Sequence, residues 1–188
     1  MGRIVVTEFI SLDGVIEDPG GTEGYVHGGW TFQFNAGPEF EKFKFDELQA
    51  SDAQLLGRVT YDHFAKAWPT MEGTGEFGER MNSMPKYVVS TTLDEPEWNN
   101  TTVIRGDVAD QVRKLRDQYE RDILVAGSAH LVQSLIEQDL VDELRLMVFP
   151  ILLGAGKRLF GDTREAKRLQ LAETTPLADG VTILTYRR

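Results

Sequence analysis

The 188-residue chain has no cysteine. That absence excludes disulfides, thiolate metal sites and thiol nucleophiles, and it fits a cytoplasmic protein. Histidine is scarce: His27, His63 and His130 are the three present. No two stand at the H-x-x-x-H spacing that grips a metal from one helix face, so no metal site is expected. No apolar run approaches the ~20 residues needed to span a bilayer. The opening MGRIVVTEF passes directly into an alternating apolar segment and lacks the h-region and cleavage site of a secretory leader. Positive charge is also in deficit, with 20 Lys and Arg against 30 Asp and Glu and a net charge of −10. The basic residues lie among acids, as in RKLRDQYERD, so nucleic acid and membrane are not expected partners. An anionic ligand would need a local site of backbone N–H groups and a few arginines.

What is present reads as one globular domain over residues 1–188, with 41% apolar and 27% charged residues. RIVVTEFI, DAQLLG, KYVVS, TTVIRG and DILVAG read as strands. PEFEKFKFDELQA, GRVTYDHFAKAW, DVADQVRKLRDQYE and SAHLVQSLIEQD read as helices, with Asp107 and Ser128 as caps of the last two. A further short helix is expected within PTMEGTGEFGERMNSMP. DELRLMVFPILLG reads as a long strand, and RLQLAETTPLADGVTILTYRR as a terminal hairpin. The β-α-β-α order implies an α/β fold, a mainly parallel sheet with helices on both faces and antiparallel C-terminal strands. Ligands of such sheets sit beyond the carboxyl ends of the strands. There the sequence places SLDG, GRVT, STT and AGSA in turn. Gly57 followed by Arg58 opens a helix directly from a strand, a start whose free N–H groups attract anions. The pattern recurs at Gly127, and two such junctions point to a phosphate-bearing ligand, whether a dinucleotide or a phosphosugar.

The chain resembles the dihydrofolate reductase-like superfamily, most closely the reductase domain of the bacterial riboflavin-biosynthesis deaminase-reductase. The resemblance rests on SLDGVI (11–16), LLGRVTY (55–61), KYVVSTTL (86–93), ILVAGSAHLVQSLIEQDLVDEL (123–144) and PILLGAGKRLF (150–160). It implies a three-layer reductase fold, a homodimer, and an NADPH cofactor that transfers hydride to a small C=N or C=O substrate. That substrate would be pterin-like or a ribosylamino-pyrimidine. The resemblance assigns Gly57, Arg58 and Thr60 to cofactor phosphates, with Arg58 near the 2′-phosphate. Ser90 and Thr91 would flank the adenosine, Gly127, Ser128 and Ala129 would hold the pyrophosphate with Leu131 packed nearby, and the segment around Ile16 would lie near the nicotinamide. Asp13 is the candidate catalytic residue, orienting substrate or relaying a proton. Trp30 is a candidate stacking surface, and Lys157 and Arg158 are candidate cations for a substrate phosphate. The sequence departs from relatives at two places. Ala126-Gly127 stands where dihydrofolate reductases have a cis Gly-Gly pair, and Val125 stands where the riboflavin enzymes carry an acid.

Overall fold

A computed structural model describes all residues, Met1–Arg188. The strands are β1 (Arg3–Ser11), β2 (Ser51–Gly57), β3 (Lys86–Val89), β4 (Thr101–Ile104), β5 (Asp122–Ala126), β6 (Glu143–Phe149), β7 (Gln170–Pro176) and β8 (Thr182–Arg187). The helices are α1 (Pro38–Gln49), α2 (Arg58–Ala67), α3 (Gly75–Ser83), α4 (Val108–Gln118) and α5 (Ala129–Glu137). All eight strands join one sheet in the order β4-β3-β2-β5-β1-β6-β8-β7. The pairs from β4 to β6 are parallel, and β8 is antiparallel to both β6 and β7.

The order explains the layers. From β1 the chain steps towards one edge through β2, β3 and β4, then returns through β5 to β6. Right-handed crossovers therefore put α1, α2 and α3 on one face and α4 and α5 on the other. Strand alternation feeds both cores. Ile4, Val6 and Ile10 of β1 pack with Val112, Leu115, Leu131 and Leu135 of α4 and α5, whereas Val5 packs with Leu48, Tyr61 and Met81 of α1, α2 and α3. A third core joins Met147, Phe149 and Ile183 to Val15, Trp30 and Ala36 of the long loop after β1.

Local chemistry sets several boundaries. Pro38 opens α1 at its first turn, where the missing N–H costs nothing. The Asp107 carboxylate accepts the Asp110 N–H and caps α4. That helix stops at Gln118, so Tyr119 falls outside it with extended backbone. Strand β6 ends at Phe149, short of the expected Gly154, because Pro150 has no N–H to continue a ladder. Ser128 does not cap α5 with its side chain, and its backbone is left-handed at φ 71°. No peptide bond is cis, so Ala126–Gly127 is trans.

The amino ends of the strands carry a buried ionic cluster away from the candidate site. Arg145 meets Glu47, Asp122 and Glu143. Arg3 and Arg187 complete the shell around Glu143. Burial pushes the Glu143 carboxyl up, but the Arg187 hydrogen bond and the Arg145 and Arg3 charges prevail and hold it below its usual range.

Candidate active site

Strands β2 and β5 are neighbours in the sheet, so the helix starts that follow them lie side by side. Their turns interlock. The Gly57 N–H donates to Ser128 Oγ at 2.9 Å, and Ser128 Oγ shares a 2.8 Å hydrogen bond with Thr60 Oγ1. A Cβ at Gly57 would stand 2.3 Å from Ser128 Oγ, and one at Gly127 would stand 2.5 Å from Thr60 Oγ1. Gly127 also has φ +67°, which only glycine adopts freely. Four residues, Gly57, Thr60, Gly127 and Ser128, thus clasp two junctions together. Ala129 and Leu131 follow in α5, with Leu131 in the main core. The product is a pair of adjoining helix N-termini whose unpaired N–H groups and dipoles favour one shared anion.

Arg58 extends this cradle towards β3. Its Nε donates to both carboxylate oxygens of Asp62, at 2.8 and 2.9 Å, and its Nη1 reaches Thr92 Oγ1 at 3.2 Å. Ser90 Oγ lies at 3.5 Å from Nη1 and accepts the Thr92 and Leu93 N–H groups, closing its own turn. Thr91 contributes its carbonyl, which accepts from Arg105. Asp62, Thr92 and Arg105 are site-wall residues that the sequence did not single out. Asp62 was legible in principle, because Arg58 and Asp62 stand at helical i, i+4 spacing.

At the β1 end the structure revises several expectations. Asp13 accepts from Ser11 Oγ at 2.6 Å, from the Leu153 N–H at 3.2 Å and from the Gly154 N–H at 2.8 Å. The Ser11 hydroxyl first, then these N–H groups, hold its carboxyl down at about 2. Through these donors Asp13 ties the β1 turn to the segment after β6. Trp30 is fully buried, edge-on to Phe149, and its Nε1–H donates to the Glu17 carbonyl. It seals the third core and offers no face to a substrate, because the loop around it is packed rather than open. Asp18, also buried, organises that loop by accepting the Thr22, Glu23 and Tyr25 N–H groups. Arg158 donates to the Asp13 and Gly154 carbonyls, which ties its exposed guanidinium to the turn. Lys157 stays half exposed, its Nζ 3.6 Å from Glu17. Ile16 is buried, its N–H donating to the Lys157 carbonyl at 2.9 Å.

One titratable group at the carboxyl end of β1 escaped the sequence reading. Glu8 is 5% exposed, and its Oε1 has no hydrogen-bond partner. Burial pushes its carboxyl up to about 8, against the Lys44 charge and the Gly127 N–H. On the opposite face of β1, Thr7 Oγ1 bonds Glu47 and Lys44. Phe9 there contacts Phe40 of α1 and Phe149.

The family model for the RibD C-terminal domain matches residues 3–183. An uncharacterized protein, YyaP, of Bacillus subtilis (strain 168) is 32% identical over 187 residues, 98% of this chain and 94% of its own. Among solved structures, a putative riboflavin biosynthesis protein from Shewanella sp. PV-4 superposes with a TM-score of 0.79 at 23% identity, covering 99% of this chain and 98% of its own. Dihydrofolate reductase from Enterococcus faecalis, complexed with NADP(H) and RAB-propyl, superposes with a TM-score of 0.64 at 16% identity, covering 99% and 96%. With its parallel sheet, antiparallel C-terminal strands and clasped junctions, the chain has the dihydrofolate reductase-like fold and belongs to the RibD C-terminal domain family.

Proposed function

We propose that the protein is an NADPH-dependent reductase of the riboflavin-pathway type, acting on a small C=N or C=O compound such as a ribosylamino-pyrimidine. The observation that carries this is the clasp of two helix N-termini at Gly57 and Gly127, where a Cβ would fill the space. That cradle suits a diphosphate, and the wall from Arg58 to Arg105 suits the adenosine end and its 2′-phosphate. The residues present therefore fit the dinucleotide that the Enterococcus faecalis relative is described as holding. When bound, the cofactor supplies the hydride. The chain's own work is to hold the phosphates on the α2 and α5 N-termini, to grip the 2′-phosphate with Arg58, and to keep the β1 turn rigid through Asp13.

A pterin reductase fits less well. The α1 acids Glu39 and Glu41 are exposed, while Phe40 and Phe43 point into the third core. Glu47 is engaged by Lys44, Thr7 and Arg145. The one buried carboxylate of α1 is thus already paired, and the unpaired ones face solvent. The test is NADPH consumption against a panel of 5-amino-6-ribosylaminouracil phosphates and dihydropterins. Reduction of a ribosylamino-pyrimidine supports the reading, and tight NADPH binding with no turnover on any compound would favour a dinucleotide-binding module.

A further inference from the structure

We infer that Asp62 is a specificity-determining residue of this site: its carboxylate neutralises Arg58 and so limits how far the protein prefers a phosphorylated dinucleotide over an unphosphorylated one. The inference rests on the reductase reading above and concerns the charge balance at the adenosine end. The Asp62 carboxylate accepts from Arg58 Nε alone, through both oxygens at 2.8 and 2.9 Å. It caps no helix and ties no second element, and an ion pair this exposed, 37% and 40%, adds little to the fold. Its effect falls on Arg58. With Nε taken, Nη1 turns to Thr92 Oγ1 at 3.2 Å and Ser90 Oγ at 3.5 Å, and Nη2 makes no bond in the fold. The terminal nitrogens are thus the ones left to meet a phosphate.

The donor count around them favours an anion. Ser90 Oγ already accepts the Thr92 and Leu93 N–H groups, and Thr92 Oγ1 accepts from Arg58. Both hydroxyl protons therefore remain to be given. The charge count does not favour it. Arg58 is matched by Asp62, and Arg105, on the other side of the same turn, is matched by Asp94. Two guanidiniums and two carboxylates leave the wall neutral as built. The two acids are not equivalent. Asp94 is 90% exposed and well screened by water, whereas Asp62 is half-buried and lies against the guanidinium that bears on the turn.

A 2′-phosphate brings about two negative charges at neutral pH. Held by Arg58, it shares that guanidinium with Asp62 and is repelled by the carboxylate. A dinucleotide without the 2′-phosphate brings no charge to this wall. Asp62 is therefore a repulsive element against one cofactor and not the other, and a difference of that kind is what sets specificity.

Asp62→Asn keeps an acceptor for Arg58 Nε and removes the charge. Calorimetric titration of the full chain at about 0.1 M salt should show NADPH bound about two- to fivefold tighter than by the native protein, the range of exposed charge pairs. NADH affinity should stay the same within error. The gain should grow at about 10 mM salt, where screening is weak, and shrink at about 0.5 M. NADPH affinity that holds or falls in Asp62→Asn overturns the assignment, because a carboxylate that only positions Arg58 or only serves the helix gives no gain when its charge is removed. A gain of equal size for NADH, or one indifferent to salt, overturns it as well. A native protein that binds neither dinucleotide overturns the reductase reading and this one with it. A native protein that binds NADPH, with no selective gain in the variant, overturns the Asp62 assignment alone.

Discussion

Replacing Gly57 by alanine tests whether the two junctions are built by close approach. Gly57 has extended backbone, φ −79° and ψ 164°, so alanine meets no conformational penalty there and the whole effect is contact. The new Cβ would stand 2.3 Å from Ser128 Oγ and 2.5 Å from Ser128 Cβ. Both distances are far inside van der Waals contact, so the β5–α5 turn must shift. The Gly57 N–H then loses its acceptor, and the Thr60–Ser128 bond is disturbed. Overpacking of this kind costs about 1–3 kcal/mol, which lowers Tm by roughly 2–12 °C at the ~2–4 °C per kcal/mol of a chain this size. NADPH affinity should fall at least about tenfold, one step of 1.4 kcal/mol, because the two helix starts no longer converge. Adding Ser128→Gly removes the obstructing atoms, and glycine suits the left-handed φ of 71° at that position. The double variant should recover Tm and affinity relative to Gly57→Ala, with a coupling of about 0.5–3 kcal/mol. Calorimetric melting and NADPH titration read both quantities. Strictly additive losses, or native affinity in Gly57→Ala, would refute the clasp.

The ion pair of Arg58 with Asp62 gives cofactor choice a lever: Arg58→Ala should weaken NADPH roughly 10–100-fold and leave NADH almost unchanged, and equal losses would refute the 2′-phosphate assignment. Arg145→Met takes the most buried cation from Glu47, Asp122 and Glu143 and leaves them Lys44, Arg3 and Arg187, so urea melts should show a loss short of the about 3–5 kcal/mol of an uncompensated buried charge; no measurable change would contradict a stabilising role for Arg145. The Asp13 and Glu143 carboxyls both titrate lower when folded. Their contribution is complete above the unfolded carboxylate range and is lost as pH falls through the depressed folded values. Asp13→Asn should therefore flatten the acid limb of stability while NADPH affinity holds, as melts below pH 5 would show. Strand β7 ends the sheet almost wholly exposed, with Leu171 uncovered, and an uncovered edge of this kind is commonly closed by a second copy. Light scattering at micromolar concentration should give the mass of a homodimer, and a monomer mass would contradict it.

The parts of this molecule that were readable in sequence are those set by local chemistry. The β-α alternation, the Asp107 cap, Pro38 at a helix start and the terminal hairpin follow from periodicity, N–H supply and turn residues within a few positions. The two glycine junctions were legible for the same reason. What was not legible depends on partners far along the chain. Ser128 looks like a helix cap until Gly57, 71 residues away, takes its hydroxyl. Asp13 looks like a free acid until Leu153 and Gly154 donate to it. Trp30 looks like a loop aromatic until Phe149 of β6 closes over it. Glu8 left a signal that was passed over: a single acid inside the buried strand RIVVTEFI, where an unpaired charge is costly and so calls for an explanation.

A crystal structure with NADPH bound would test the central claim most directly. The account predicts the diphosphate against the α2 and α5 N-termini, within hydrogen-bond reach of the backbone N–H groups beginning at Arg58 and Ala129, with the 2′-phosphate beside Arg58. A dinucleotide seated elsewhere, or none at millimolar NADPH, would contradict it.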